Sequence, residues 1–193
     1  MNKLKFDAES HVYTLGGERL PSVTQVLATA GLVDFSGISE DVLNRAKAFG
    51  TAVHSTTAYH DKGNLDVFGL DPSLQGPLNA WIKFRAETGF LPHLIEKPLY
   101  SEKYRFAGTP DRIGTIGKEN ILVELKSGVL LPSMAVQMAG YEILSPERIS
   151  QRIGVQLLQD GTYKIAPPKW MDRSDKSVFL SCLNVYNYRK RIT

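Results

Sequence analysis

The sequence predicts an α/β (α+β) protein in which helical and strand-like segments alternate along the chain. Apolar residues recur at helical spacing between Ser39 and His60, strand-like runs follow between Leu94 and Leu125, and a helical pattern returns after Pro132. At 193 residues the chain suits one domain, and it contains no linker long enough to separate two. We therefore predict a single domain spanning 1–193, with its core at about 39–158.

The N-terminal additions to this core are a predicted hairpin and a short helix. Alternating residues from His11 to Leu20 surround Gly16-Gly17 and indicate the hairpin. Ser22 followed by Gln25 is typical of a capping box and predicts a helix to about Ala30.

Two longer helices come next. Ser39, with acidic residues directly after it, predicts the start of a helix that runs to about His60. A loop from Gly63 to Gly76 and a second helix from Pro77 to Gly89 follow. The buried stripe predicted for the first helix consists of Val42, Ala46, Phe49, Val53 and Thr57.

The second half of the chain begins with three predicted strands: Leu94 to Tyr100, Phe106 to Ile116 and Ile121 to Leu125. A helix is predicted from Pro132-Ser133. The C-terminal additions are a strand pair around Asp160-Gly161, typical of a two-residue hairpin, and a last helix whose apolar face includes Val178, Phe179, Cys182, Leu183 and Tyr186.

Composition excludes several classes of site. Cys182 is the only cysteine, so neither an intramolecular disulfide framework nor a four-cysteine iron–sulfur cluster is possible. No apolar run approaches the roughly 20 residues that cross a bilayer, and the first ten residues lack the apolar segment of a secretory signal. We therefore expect a cytoplasmic protein without membrane contact. The net charge of +3 is compatible with a polyanionic partner and with many others.

The candidate chemistry lies in Asp111 and in Glu124-Leu125-Lys126, the one Glu-x-Lys of the chain. Side chains two apart in a strand project to the same side, so Glu124 and Lys126 lie about 7 Å apart along it. With Asp111 on a neighbouring strand, two carboxylates and an ammonium converge. Magnesium favours such oxygen ligands, and the lysine can stabilise developing negative charge. An ordinary Glu–Lys ion pair on a half-exposed strand fits these residues as well.

Two helical motifs flank this segment. Gly50-x-x-x-His54 places a glycine inside a helix, where it costs about 1 kcal/mol against alanine and therefore suggests close approach of another backbone. Histidine is a frequent metal ligand, although a lone helical histidine also forms ordinary hydrogen bonds. Gln137 and Tyr141 share one helical face directly after the Glu-x-Lys strand.

In this order the motifs resemble the RecB-type exonuclease branch of the PD-(D/E)XK nuclease superfamily, in its stand-alone, phage-encoded form. The matching residues are Gly50-x-x-x-His54, Glu96, Gly108-Thr109-Pro110-Asp111, Glu124-x-Lys126 and Gln137-x-x-x-Tyr141. The resemblance implies a restriction-endonuclease-like core, a central mixed β-sheet flanked by helices. No phosphate-binding loop of a helicase motor is present, so a nuclease of this kind acts alone or with a separate recombination or replication protein.

The same resemblance implies the roles of the site residues. Asp111, Glu124 and Lys126 would be catalytic, and Mg²⁺ or Mn²⁺ would be held by His54, Asp111, Glu124 and the Leu125 backbone carbonyl. No nucleotide cofactor and no iron–sulfur cluster are expected. Supporting or DNA-binding positions would be Gln137, Tyr141, Glu96, Arg112 and Ser127.

The implied activity is metal-dependent DNA exonuclease in recombination, repair or replication, on DNA that is single-stranded or has a single-stranded end. A structure-specific endonuclease shares Asp…Glu-x-Lys and is the first alternative. A DNA-end-binding module that has lost its chemistry is the second, although such a module has no reason to retain Asp111, Glu124 and Lys126 together.

Overall fold

Ten strands and five helices make up the described part of the chain. The computed structural model describes residues 3–33 and 37–192. In chain order the elements are β1 (Leu4–Asp7), β2 (Val12–Leu15), β3 (Glu18–Leu20), α1 (Val23–Thr29), α2 (Glu40–Asp61), α3 (Pro72–Thr88), β4 (Leu91–Ile95), β5 (Leu99–Ser101), β6 (Phe106–Gly108), β7 (Arg112–Ile116), β8 (Glu119–Lys126), α4 (Ser133–Leu144), β9 (Gln151–Leu157), β10 (Tyr163–Ile165) and α5 (Asp175–Ile192), with a short 3-10 helix at Pro168–Trp170 before α5. Within the described ranges no helix is both long and apolar enough to cross a membrane.

A five-stranded mixed sheet with the order β10-β9-β8-β7-β4 forms the centre. β8 and β9 are parallel, whereas the other neighbouring pairs are antiparallel. Parallel neighbours need a crossover connection, which α4 provides between β8 and β9. The predicted fold class, a central mixed sheet flanked by helices, is confirmed.

Helices cover both faces of this sheet. Ile121, Val123 and Leu125 of β8 pack in one apolar cluster with Trp81 and Phe84 of α3. The alternate residues point to the opposite face, where Leu122 packs in a second cluster with residues of α1, α4 and α5. Because β8 is covered on both sides, Glu124 projects toward the α4 face from inside the protein, whereas Lys126, on the same side at the end of the strand, is 31% exposed.

The N-terminal strands form a separate three-stranded sheet. The predicted hairpin is confirmed: Gly16 and Gly17 connect β2 to β3 with φ of 59° and 88°, as a two-residue turn of this hand requires. The capping box is also confirmed, because the Ser22 side chain accepts from the Gln25 backbone N–H and the Gln25 side chain accepts from the Ser22 N–H. The first strand, β1, was not predicted.

The second long helix begins earlier than predicted. α3 starts at Pro72 rather than Pro77, and Asp71 caps it by accepting from the Ser73 N–H. Proline is well suited to the first helical position, whereas an internal proline loses a hydrogen bond at a cost of about 3 kcal/mol. The helix nevertheless continues through Pro77, which is buried, and ends as predicted at Gly89 in the left-handed conformation.

α2 has the predicted length, but its buried stripe covers only the C-terminal half. Val53 and Thr57 are buried and Phe49 is half-buried, whereas Val42 is 49% exposed and Ala46 is exposed too. Residues 40–48 of α2 are exposed apart from the half-buried Leu43, because helical apolar spacing leads to burial only where another element packs against that face. The predicted start is confirmed, because Ser39 is the N-cap residue and Glu40 and Asp41 lie in the first turn, although the Ser39 side chain makes no capping hydrogen bond to the described residues.

Two of the three predicted strands are each divided in two. The first is interrupted at Glu96, which has a positive φ of 46°, so that β4 joins the central sheet and β5 pairs with β6 instead. The second is interrupted around Pro110, which cannot donate a ladder hydrogen bond. This second break places Asp111 immediately before β7.

The C-terminal elements agree with the prediction apart from one turn. The helices expected after Pro132 and at the C-terminus are α4 and α5. Five residues, 158–162, connect β9 to β10 rather than two, and the Leu158 N–H donates to the Thr162 carbonyl so that three residues lie between this pair. Gly161, with φ of 80°, supplies the left-handed residue of this longer turn.

Candidate active site

Four predicted site residues converge where β8 ends and β7 begins. The Lys126 ammonium lies 2.9 Å from Glu124 Oε1, as expected for side chains on the same side of one strand. Asp111 Oδ2 accepts from the Leu125 backbone N–H at 2.7 Å, which fixes this carboxylate against β8. On α2, His54 Nδ1 lies 3.1 Å from Asp111 Oδ1. The two carboxylates, the ammonium and the imidazole therefore form one cluster.

The two carboxyl groups differ in their pKa. Burial together with the nearby charge of Asp111 raises the pKa of Glu124 to about 7, although Lys126 opposes that rise. Burial also acts to raise the pKa of Asp111, but His54, Lys126 and the Leu125 N–H outweigh it and lower this pKa to about 2. At neutral pH Asp111 is therefore ionised, whereas Glu124 exchanges between its protonated and ionised forms.

The basic groups of the cluster stay charged more readily than burial alone would allow. Burial lowers the pKa of Lys126, but the charges of Glu124 and Asp111 more than offset this, so the net direction is upward. The same balance holds for His54, whose pKa is raised mainly through the charge and hydrogen bond of Asp111 against the effect of burial. A neighbouring carboxylate therefore stabilises the protonated form of each of these two basic side chains.

Gln137 connects both ends of the Glu-x-Lys pair. Its Nε2 donates to Glu124 Oε1 at 2.8 Å, and its Oε1 accepts from Lys126 Nζ at 3.3 Å. Tyr141, one helical turn further along α4, accepts from Gln137 Nε2 at 3.2 Å through its hydroxyl oxygen. Burial raises the Tyr141 pKa well above its ordinary value, so the hydroxyl keeps its proton. The two residues of the Gln-x-x-x-Tyr motif therefore orient the strand side chains.

Arg112 lies behind the cluster, whereas the side chain of Glu96 is 29% exposed and lies beside both Arg112 and His54. Arg112 is fully buried and donates to Asp61 Oδ2 at 2.6 Å, to Thr57 Oγ1 at 3.0 Å and to the Asp111 carbonyl at 2.7 Å. Glu96 Oε1 is 3.5 Å from the same guanidinium and 3.9 Å from His54 Nδ1. A guanidinium held in this way ties α2 to the segment carrying Asp111 and does not reach a phosphate in solvent.

Asp61 and Tyr13 support the site without having been predicted. Asp61 accepts from Trp81 Nε1 at 2.9 Å and from Arg85 at 2.7 Å, in addition to Arg112. It follows His54 by seven residues on one helix and so shares its face, a spacing signal visible in the sequence. The Tyr13 hydroxyl lies 2.7 Å from Thr109 Oγ1 and links the N-terminal sheet to the segment before Asp111; no sequence signal marks this contact.

Gly50 and Ser127 face each other beside the cluster. The prediction that another backbone approaches Gly50 closely is wrong. A Cβ built on Gly50 would have one neighbour within 4 Å among the described residues, Ser127 Oγ at 3.5 Å, which is an ordinary contact. Ser127 follows Lys126 directly, so this contact places the end of β8 against α2.

The oxygen atoms of the cluster fit a hard divalent cation. Within residues 3–33 and 37–192, no group of three Asp, Glu, His or Cys side chains is arranged to hold a metal ion. Magnesium requires fewer, because it is commonly held by one or two carboxylates with water and substrate phosphate completing its shell. Glu124 Oε2 is buried and has no hydrogen-bond partner among the described residues, and it lies beside the ionised Asp111. A cation at this point would satisfy the orphaned oxygen.

Comparison with known proteins gives distant structural likenesses. No protein-family model and no curated protein sequence matches the chain. Among solved structures, an alkaline exonuclease (LHK-Exo) from Laribacter hongkongensis aligns with a TM-score of 0.39 and 15% identity, covering 88% of this chain and 91% of that one. The structure of LHK-Exo in complex with dAMP aligns with a TM-score of 0.41 and 16% identity over 89% and 92% of the two chains.

Proposed function

We propose that this protein is a Mg²⁺- or Mn²⁺-dependent nuclease that hydrolyses phosphodiester bonds of DNA, acting as an exonuclease on single-stranded DNA or single-stranded ends. The observation that carries the proposal is the buried Glu124 carboxylate. One of its oxygens has no hydrogen-bond partner in the part of the chain that the structure describes, and the group lies beside a second carboxylate, Asp111, and the ammonium of Lys126.

A purely structural role does not account for this arrangement. Native proteins pair nearly all their buried polar atoms, because an unpaired one costs roughly 1–3 kcal/mol and more when charged. A structural Glu–Lys ion pair would leave neither a lone Glu124 oxygen nor a second carboxylate beside it. Neighbouring carboxyl groups whose pKa values are shifted in opposite directions are frequent at catalytic sites.

The residues of the cluster have separable roles in the proposed reaction. A divalent cation, when bound, polarises the scissile phosphate and makes a bound water more acidic. Asp111 and Glu124 would hold it, together with His54 and the Leu125 carbonyl. The Lys126 side chain is 31% exposed, so its ammonium reaches the open side of the cluster and stabilises negative charge developing on the phosphate. Gln137 hydrogen-bonds both Lys126 and Glu124 and would hold the two side chains in a fixed relative position during the reaction.

The exonuclease assignment rests on the order of the sequence motifs, and the same cluster serves an endonuclease equally well. We place the protein in DNA recombination, repair or replication, encoded by a phage and acting in the host cytoplasm, either alone or with a separate recombination or replication protein. The proposed pathway, phage origin, location and partner follow from the motif resemblance alone. The proposed chemistry of the site does not depend on them.

The test is digestion of end-labelled linear and circular DNA, single-stranded and duplex, with Mg²⁺, Mn²⁺ or EDTA. Lys126→Ala is compared with Lys118→Ala, a matched control because Lys118 is exposed in the turn at the opposite end of β8. We expect metal-dependent loss of linear DNA only, with turnover lowered at least about 100-fold by Lys126→Ala and unaltered by Lys118→Ala.

Each other outcome identifies an alternative. Cleavage of circular DNA would assign the protein to the endonucleases, and DNA binding without cleavage under any metal would assign it to the non-catalytic modules. A Lys126→Ala protein that melts normally and keeps most of its activity would remove Lys126 from the mechanism.

A further inference from the structure

The segment that carries Asp111 is held by the central sheet at one end only. Thr109, Pro110 and Asp111 connect β6 to β7. At the β7 end, the Asp111 carbonyl accepts from the Glu96 N–H at 3.0 Å and from the Arg112 side chain at 2.7 Å. β7 lies in the central sheet, whereas β6 and β5 form a separate two-stranded sheet. Because an isolated strand pair is marginally stable at best, other elements must fix the β6 end of the segment.

Residues 12–29, from β2 to α1, cover β6 and are called here the N-terminal brace. The Ala107 N–H of β6 donates to the Pro21 carbonyl of the brace at 2.9 Å. The Ala107 side chain is fully buried, in one apolar cluster with residues of β2 and β3. The brace therefore contacts β6 through both its backbone and its apolar side chains.

Gly108, the last residue of β6, lies between the brace and α4. A Cβ added to this glycine would lie 2.9 Å from Val23 Cγ2 on α1 and 2.8 Å from Tyr141 Cε1 on α4. Both distances are too short for a Cβ, so the two helices approach the strand more closely than any other residue would allow. The position of the chain is thus fixed on two sides immediately before Thr109.

Tyr13 extends the brace one residue beyond β6. Its hydroxyl lies 2.7 Å from Thr109 Oγ1, two residues before Asp111. Tyr13 is 1% exposed, and its ring stacks on Phe6 with the ring centroids 4.5 Å apart. Burial raises the pKa of Tyr13, so the hydroxyl keeps its proton and can donate it to Thr109. A phenylalanine would fill the same apolar space, and the hydroxyl adds to this packing its contact with the segment that carries Asp111.

We propose that Tyr13 is a positioning residue that acts through Thr109 to hold the Asp111 carboxylate where it can bind the divalent cation. The proposal rests on the nuclease function proposed above and assigns the N-terminal brace a part in it. Magnesium demands near-octahedral geometry with oxygen ligands at about 2.0–2.1 Å, so a displaced carboxylate binds it less well. A misplacement of about 1 Å near the reacting atoms can lower turnover by roughly 100-fold.

Tyr13→Phe tests the contact, with Tyr163→Phe as its matched control. Tyr163 on β10 also has a hydroxyl that donates to one side chain, Glu87, and it lies outside the cluster. Binding of Mn²⁺ to the DNA-free protein is measured from the EPR signal of free Mn²⁺, and kcat and KM are measured on linear single-stranded DNA. We expect Tyr13→Phe to weaken Mn²⁺ binding and to lower kcat by about tenfold each, with KM for DNA unaltered. Tyr163→Phe should change none of these values.

Substitutions of Thr109 test the same contact from its other side. Thr109→Ser keeps the hydroxyl and is expected to bind Mn²⁺ as the wild type does, whereas Thr109→Val should weaken binding as much as Tyr13→Phe. The variant that combines Tyr13→Phe with Thr109→Val should bind no more weakly than either single variant, because both changes remove one contact. Additive losses of affinity would overturn the proposal, as would Thr109→Ser binding as weakly as Thr109→Val.

A merely structural hydroxyl would give a different result. Loss of a buried hydrogen bond from a chain of this size lowers the melting temperature in EDTA by about 2–4 °C whatever its role. If this were the sole effect of Tyr13→Phe, with Mn²⁺ affinity and kcat at wild-type values, the positioning role would be overturned and the nuclease proposal would stand. A wild-type protein that neither binds Mn²⁺ nor cleaves DNA would overturn both.

Discussion

Replacing Glu124 with glutamine is expected to flatten the pH dependence of stability of the metal-free protein while abolishing cleavage. Glutamine keeps the shape of the side chain and the oxygen that accepts from Lys126 and Gln137. It removes the ionisation that burial opposes. The folded protein holds the Glu124 proton up to a pKa of about 7, whereas the unfolded chain releases it near 4.5.

The sign and size follow from proton linkage. Between pH 4.5 and 7 the folded state binds more protons than the unfolded state, so the stabilisation is complete below the unfolded pKa and is lost as the pH rises through about 7. At about 1.4 kcal/mol for each pH unit this amounts to on the order of 3 kcal/mol. The lowered pKa of Asp111 acts in the opposite direction but only below its ordinary value of 3.8, outside this window.

Urea unfolding in EDTA at pH 4.5 to 8.5 measures the effect. Relative to Glu124→Gln, the wild type is expected to lose about 3 kcal/mol over this range, or on the order of 10 °C in melting temperature. Glu102→Gln, at an exposed position, is the control and should follow the wild type. Added Mg²⁺ should restore stability at pH 8 to the wild type more than to Glu124→Gln, because a cation compensates the carboxylate charge. Parallel profiles for wild type and Glu124→Gln would refute the burial argument.

Two further substitutions test how the site is supported. Asp61→Asn removes the charge opposite the fully buried Arg112 and is expected to destabilise the protein by about 3–5 kcal/mol in urea unfolding; a change below about 1 kcal/mol would show that the guanidinium is compensated by its other acceptors. Gly140→Ala places a Cβ 2.7 Å from Phe179 Cε2 and is expected to cost about 1–3 kcal/mol in the same assay, with activity per folded molecule retained; an unchanged unfolding midpoint would mean that α5 moves away from α4 without cost.

The cluster itself could be predicted from local rules. Strand alternation places Glu124 and Lys126 on one side, and helical spacing brings Gln137 and Tyr141 together; both follow from the backbone geometry of a single element. The structure shows these pairs in direct hydrogen-bond contact. Bringing Asp111 beside them required only that β7 and β8 be neighbours, and their short antiparallel connection makes this the simplest pairing.

The supporting contacts could not be predicted in the same way. The ion pair between Asp61 and Arg112 joins α2 to β7. Arg112 follows Asp111 and Asp61 shares a helical face with His54, but no local rule pairs these two residues with each other. Apolar spacing in α2 indicated an amphipathic helix but not where its partner ends, so Val42 was wrongly expected to be buried. Local periodicity describes which face of an element is apolar, whereas burial depends on elements distant in the chain.

The two halves of α2 therefore contribute unequally to stability within one helix. The buried half holds Thr57 and Asp61 against Arg112, so substitutions there change the free energy of unfolding. Residues 40–48 of the other half are exposed apart from the half-buried Leu43, so substitutions of the exposed residues are expected to change stability little. His54 lies in the anchored half, seven residues before Asp61, and its Nδ1 is 3.1 Å from Asp111 Oδ1. A weakened anchor at Asp61 is thus expected to disturb the contact between His54 and Asp111 as well as to lower stability.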